Sequence, residues 1–149
     1  MNLDRHNSDV VLIVDDVPDN LSMLHDALDE FGYTVLVATN GEQALQRAAQ
    51  AMPDVILLDA MMPGLDGFEV AKRLKADAAT AAIPIIFMTG LTETEHVLKA
   101  FQSGGVDYVA KPIKPMEVLA RIAAHVQGAR ERRQARNALD AFGHATLSV

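Results

Sequence analysis

The chain contains no cysteine. Disulfides and thiolate-ligated metal sites are therefore excluded, and the composition is compatible with a reducing compartment. No apolar run approaches the ~20 residues a membrane span needs, and the polar segment from Met1 to Asp9 has no signal-peptide core. A soluble cytoplasmic protein is the expectation. Net positive charge is also missing: 13 Lys and Arg stand against 20 Asp and Glu, giving a formal net charge of −7. That balance argues against a general nucleic-acid binder. The five histidines, His6, His25, His96, His125 and His144, never pair at a metal-ligand spacing. Gly64 and Gly67 belong to no GxGxxG or P-loop pattern and read as turn residues.

What remains is an ordinary globular composition. The 149 residues are 50% apolar, enough for one domain with a substantial core and a short appendage. Charge divides unevenly along the chain. Residues 1–128 carry 9 basic and 18 acidic side chains, whereas 129–149 carry 4 and 2. An acidic body and a basic tail are expected to be different things.

Two periodicities alternate through the body. Val10 to Val14, Val35 to Ala38, Val55 to Leu58, Ile85 to Met88 and Val106 to Ala110 are short apolar runs, as expected of strands buried on both faces. Helical patterns separate them. Leu21, Leu24, Leu28 and Phe31 recur at spacings of three and four before a stop at Gly32. Asn40 with Gln43 forms a cap and partial capping box for a helix carrying Ala44, Leu45, Ala48 and Met52, ended by Pro53. Asp66 with Glu69 repeats that signature before Phe68 to Lys75. Val97, Leu98 and Phe101 mark a fourth helix stopped by Gly104 and Gly105, and a fifth begins near Pro115 with Met116, Leu119, Ile122, Ala123 and Val126 as its packing face.

A repeated βα unit implies a parallel sheet with helices on both faces. Right-handed crossovers restrict its topology, and the order 2-1-3-4-5 places strands one and three side by side. The C-terminal ends of the strands then converge on one edge. Asp15 and Asp16 follow strand one, Asp59 ends strand three, Thr89 follows strand four, and Lys111 with Pro112 follows strand five. Adjacent aspartates after a strand also serve as turn and helix-cap residues, but three carboxylates, a hydroxyl and an ammonium in one crevice suit a divalent cation and a phosphoryl group. Asp16 and Asp59 are the expected direct ligands, with Asp15 binding through water. Asp59, kept ionised by the cation, is a competent nucleophile toward phosphorus.

These residues, in the segments VILLDAMMPGLDG, FMTG and YVAKPI, resemble the receiver domain of bacterial two-component response regulators over about Asp9 to Gln127. The resemblance implies a doubly wound, flavodoxin-like α/β fold. It makes Asp59 the acceptor of a phosphoryl group from the phosphohistidine of a sensor histidine kinase or phosphotransfer protein. Asp15, Asp16, Asp59 and the backbone carbonyl of Met61 would bind Mg²⁺ or Mn²⁺. Lys111 would hold one phosphate oxygen, the Thr89 hydroxyl another, and the Lys111–Pro112 bond would be cis. Tyr108 is similar to the family's switch aromatic, whose ring turns inward as Thr89 moves, reshaping the surface of helix four, strand five and helix five. That surface is also where a homodimer is expected. Met61 and Leu91 would flank the path of hydrolytic water; both are apolar, so autodephosphorylation is expected to be slow. Gly90 should leave phosphate access open.

Residues 1–8 are expected to be flexible, residues 9–128 to form the receiver, and 129–149 to extend as a helix or linker toward an output domain absent from this chain. Arg130, Arg132, Arg133 and Arg136 fit a solvated helical linker better than a DNA contact, and nothing in the tail forms a helix-turn-helix. The parent protein could still be a DNA-binding regulator. A competing class is the Mg²⁺-dependent phosphatase of the haloacid dehalogenase type. It would place a second acid two residues after the nucleophile, where this chain has Met61.

Overall fold

The computed structural model describes residues 9–90, 93–128, 131 and 135. Strands β1 (Val10–Val14), β2 (Thr34–Ala38), β3 (Val55–Asp59), β4 (Ile85–Thr89) and β5 (Asp107–Ala110) alternate with helices α1 (Pro18–Glu30), α2 (Gly41–Ala51), α3 (Gly67–Ala76) and α4 (Thr94–Gln102). A further helix, α5, starts at Pro115 and covers 115–128. All pairings are parallel, in the order β2-β1-β3-β4-β5 that the βα repeat predicted. None of the helices among the described residues is long and apolar enough to cross a membrane.

Period-two alternation divides the strand side chains between two layers. Leu12, Val14, Ile56, Leu58, Ile85 and Phe87 face the layer that includes α2 and α3. Val11, Ile13, Val55, Leu57, Ile86 and Met88 face Leu21, Leu24 and Leu28 of α1 and Val118, Leu119, Ile122 and Val126 of α5. Each large side chain removed from water in this way contributes roughly 1.5–3 kcal/mol before entropy is counted. The central strands β3 and β4 are buried along their full length. The edge strands depart from the expectation of two buried faces: Thr34 is exposed and Val35, Leu36 and Val37 are only half-buried, because β2 has a neighbour on one side.

Helix ends follow the capping chemistry. The Asn40 side chain accepts from Gln43 N–H at 2.9 Å and that of Asp66 from Glu69 N–H at 2.9 Å. The Gln43 amide oxygen reaches Thr39 rather than closing the box on Asn40. After α1, Gly32 at φ 95° donates to Asp29 and Tyr33 donates to Leu28, the paired bonds of a Schellman turn.

Apolar spacing and burial diverge at three places. On α4 the only buried residue is Ala100, while Leu98 and Phe101 are exposed. On α5, Met116 and Ala123 are exposed and Val118 takes their place in the core, because the helix is rotated relative to the stripe read from sequence. Val106 lies outside β5 and is exposed, though its N–H still donates to Ile85. The segments 1–8, 129–130, 132–134 and 136–149, on which the terminal-flexibility and linker expectations fall, lie outside the described residues.

Candidate functional site

Strand register brings the polar residues together. Val14 pairs with Leu58, so one step further along each strand sets Asp15 beside Asp59. Asp59 itself pairs with Met88, and Thr89 pairs with Ala110, which carries Thr89 and Lys111 to the same edge. Asp15, Asp16 and Asp59 each contribute a carboxylate oxygen, all within 4.8 Å of one another. Asp15 and Asp59 are buried and Asp16 is exposed.

Asp59 has two chemically different oxygens. Its Oδ1 accepts from Lys111 Nζ at 3.0 Å and from Met61 N–H at 3.2 Å, whereas Oδ2 is buried with no hydrogen-bond partner. A buried acceptor left unpaired is costly unless a cation or donor meets it. Burial pushes the Asp59 carboxyl up from 3.8 to about 6; the Lys111 bond opposes this, the Asp15 charge adds to it, and the Lys111 charge and Met61 N–H pull it back. Two carboxylates in a water-poor crevice repel, and one lysine does not neutralise them. The donor set is all hard oxygen, which fits Mg²⁺ or a similar divalent ion.

Thr89 is buried at the end of β4, and its carbonyl accepts from Lys111 N–H at 2.9 Å. The Lys111–Pro112 bond is cis, as the resemblance implied. Tyr108 is half-buried, with its ring edge-on to Phe101 of α4 at 6.3 Å between centroids. Beside it, Asp107 binds α5: Arg121 Nη1 donates to both carboxylate oxygens at 2.8 Å and His125 Nε2 lies 3.0 Å away. Burial would raise the Asp107 carboxyl, but His125, Arg121 and Tyr108 N–H hold it below its usual value. Met61 is exposed, and Leu91, its expected counterpart on the water path, lies outside the described residues.

Sequence reading missed two contributors. Asn20 in the first turn of α1 donates from Nδ2 to Asp15 Oδ2 at 3.1 Å, while Val17 N–H donates to Oδ1 at 2.9 Å. The second bond is the ordinary turn interaction of an aspartate with the residue two positions on, so the turn role and the site role of Asp15 coexist. The other contributor is Gly67. A Cβ at that position would strike the Asp59 carbonyl oxygen and come within 2.8 Å of Ala60 Cα, so only glycine lets α3 begin against the acceptor's backbone. Gly90, in contrast, has nothing within 4 Å of the corresponding position.

The position two residues after Asp59 carries a methionine rather than the acid that a haloacid-dehalogenase-type phosphatase would use, and none of the similarities found supports that class. The description "Response regulator receiver domain" matches residues 11–123. The phosphate regulon transcriptional regulatory protein PhoB of Pseudomonas aeruginosa is 42% identical over 114 residues, covering 76% of this chain and 50% of that protein. A crystal structure of a putative response regulator from Chloroflexus aurantiacus superposes with a TM-score of 0.76 at 34% identity, covering 80% of this chain and 98% of that one. The receiver domain of sensor histidine kinase PA1611 from Pseudomonas aeruginosa, solved with a magnesium ion coordinated in its active-site cleft, gives 0.74 at 29% identity, with coverage of 80% and 98%. The chain spans about a quarter to a half of the curated relatives it matches. Strand order and similarity agree, and the chain belongs to the response-regulator receiver domains of two-component signalling.

Proposed function

We propose that Asp59 accepts a phosphoryl group from the phosphohistidine of a partner sensor kinase or phosphotransfer protein in a Mg²⁺-dependent reaction. The observation that carries this reading is the asymmetry of the Asp59 carboxylate. One oxygen is held by Lys111 and Met61 N–H and the other is buried and unpaired, in a carboxylate that has an oxygen within 4.8 Å of those of Asp15 and Asp16. Asp15, Asp16, Asp59 and the Met61 carbonyl would hold the cation, and the magnesium in the PA1611 receiver supports its identity. Its chemistry there is neutralisation of negative charge as phosphate and carboxylate approach.

The P–N bond of the phosphoimidazole breaks as a P–O bond to Asp59 forms, leaving an acyl phosphate and a free imidazole. Lys111, already at Asp59, takes a phosphate oxygen. Thr89 offers its hydroxyl to another, and its displacement lets Tyr108 turn inward and alters the α4–β5–α5 surface. The domain acts as a stoichiometric switch rather than a turnover enzyme, and autodephosphorylation is slow because neither Met61 nor Leu91 has a polar side chain to orient water. In the parent protein we place it in the cytoplasm. Residues 129–149 would lead toward an output domain, and a homodimer would form through α4, β5 and α5.

Incubation with Mg²⁺ and acetyl phosphate, read by intact mass, tests the acceptor. Wild type should gain one phosphoryl group and Asp59→Asn none or far less. Labelling unaffected by that substitution overturns the assignment.

A further inference from the structure

Asp15 meets no cation among the described residues, although it lies beside Asp59 and Asp16. Two neutral donors hold it instead, Val17 N–H on Oδ1 at 2.9 Å and Asn20 Nδ2 on Oδ2 at 3.1 Å. These bonds differ in what they anchor. The Val17 bond lies within the turn that carries Asp15 and would follow any rotation of that turn. Asn20 belongs to α1, whose Leu21, Leu24 and Leu28 are packed into the core, and its own N–H bonds the Val17 carbonyl at 3.1 Å. Its amide therefore ties the carboxylate to the body of the domain. A residue in the first turn of a helix acting only as a cap would spend its side chain on a backbone amide. Asn20 spends it on Asp15.

From this geometry we infer that Asn20 is a positioning residue of the cation site. By fixing the Asp15 carboxylate across the β1–α1 joint, against repulsion from its neighbours, it sets the affinity for the divalent ion. The inference rests on the Mg²⁺ reading given above. Groups that orient a metal-binding side chain typically account for about 10–100-fold in metal affinity.

The unfolding midpoint of the intact chain, followed against MgCl₂ concentration from a metal-free start, gives the readout. A purely structural role for Asn20 would move the metal-free midpoint and leave the Mg²⁺ dependence alone. Asn20→Ala should instead need about 10–100-fold more Mg²⁺ for the same increment. Asn20→Ser keeps a donor and a good helix-start residue and should fall between the two; it also carries the test if the alanine variant folds poorly. In an Asp15→Asn background, Asn20→Ala should cause no further loss, since the carboxylate it orients is gone. Wild type and Asn20→Ala responding at the same concentration overturns the role of Asn20 alone, as does an equal loss in the Asp15→Asn background. A wild type indifferent to Mg²⁺ overturns this inference together with the cation reading.

Discussion

Replacing Asp59 with asparagine should make the metal-free protein more stable, although it removes the ion pair to Lys111. Asp59 is buried, and its carboxyl is raised from 3.8 to about 6 even with Lys111 and Met61 N–H drawing it down. A carboxyl with a raised value in the fold contributes stability when protonated, fully present below the unfolded value and lost as pH rises through the folded one. At about 1.4 kcal/mol per pH unit, the ionised group costs the wild type up to about 3 kcal/mol at pH 8. Asparagine keeps the size and the Met61 bond without the charge, so about 2 kcal/mol is a fair expectation once local relaxation is allowed. That corresponds to a midpoint roughly 4–8 °C higher for a chain of this length. Thermal unfolding in EDTA at pH 8 and pH 4 is the assay. The advantage should be open at pH 8 and shrink to about 0.5 kcal/mol at pH 4, where the folded carboxyl is almost wholly protonated and the unfolded one is about 60% ionised. Saturating Mg²⁺ should close the gap from the other side, by about 2.7 kcal/mol at 100 times the dissociation constant. An asparagine variant no more stable than wild type at pH 8 in EDTA would refute the reasoning.

Four other substitutions separate close contact from open space, strain from packing, and water exclusion from water access. Gly67→Ala should cost more than about 2 kcal/mol and abolish acetyl-phosphate labelling, because its Cβ meets the Asp59 backbone, while Gly90→Ala should stay within about 0.5 kcal/mol of wild type in urea unfolding. Met52 ends α2 at φ 48° with its side chain exposed, so Met52→Gly should stabilise the fold by about 0.5–1 kcal/mol, read as a higher urea midpoint with an unchanged slope. Met61→Asn should speed decay of the acyl phosphate measured after the donor is removed; decay no faster than wild type would count against exclusion of water by Met61.

The sheet was readable because its apolar runs are short, separated by helical periods, and connected in the one handedness that parallel pairing allows. Once strands one and three were neighbours, Asp15, Asp16 and Asp59 had to meet. The Asn20–Asp15 bond was not readable, because it depends on the angle at which α1 leaves the sheet. Met52 hid its left-handed backbone behind Pro53, which already explained why α2 ended there. On α4 and α5 the apolar spacing was real, but periodicity does not say which part of a stripe is covered. Leu98, Phe101 and Met116 are apolar at helical spacing and still face outward.

Helix α4 has nine residues and buries only Ala100. Isolated helices shorter than about 12–15 residues are marginal in water, so α4 owes its form to a few contacts such as Lys99 over the Phe68 ring at 4.6 Å and the Phe101–Tyr108 edge. Its amides should exchange with solvent through local openings far cheaper than global unfolding, while those of β3 exchange only when the whole domain opens. An element held this lightly can be redistributed between conformations by a change of a kcal/mol or two at the neighbouring strand end, without any demand on the sheet that carries Asp59.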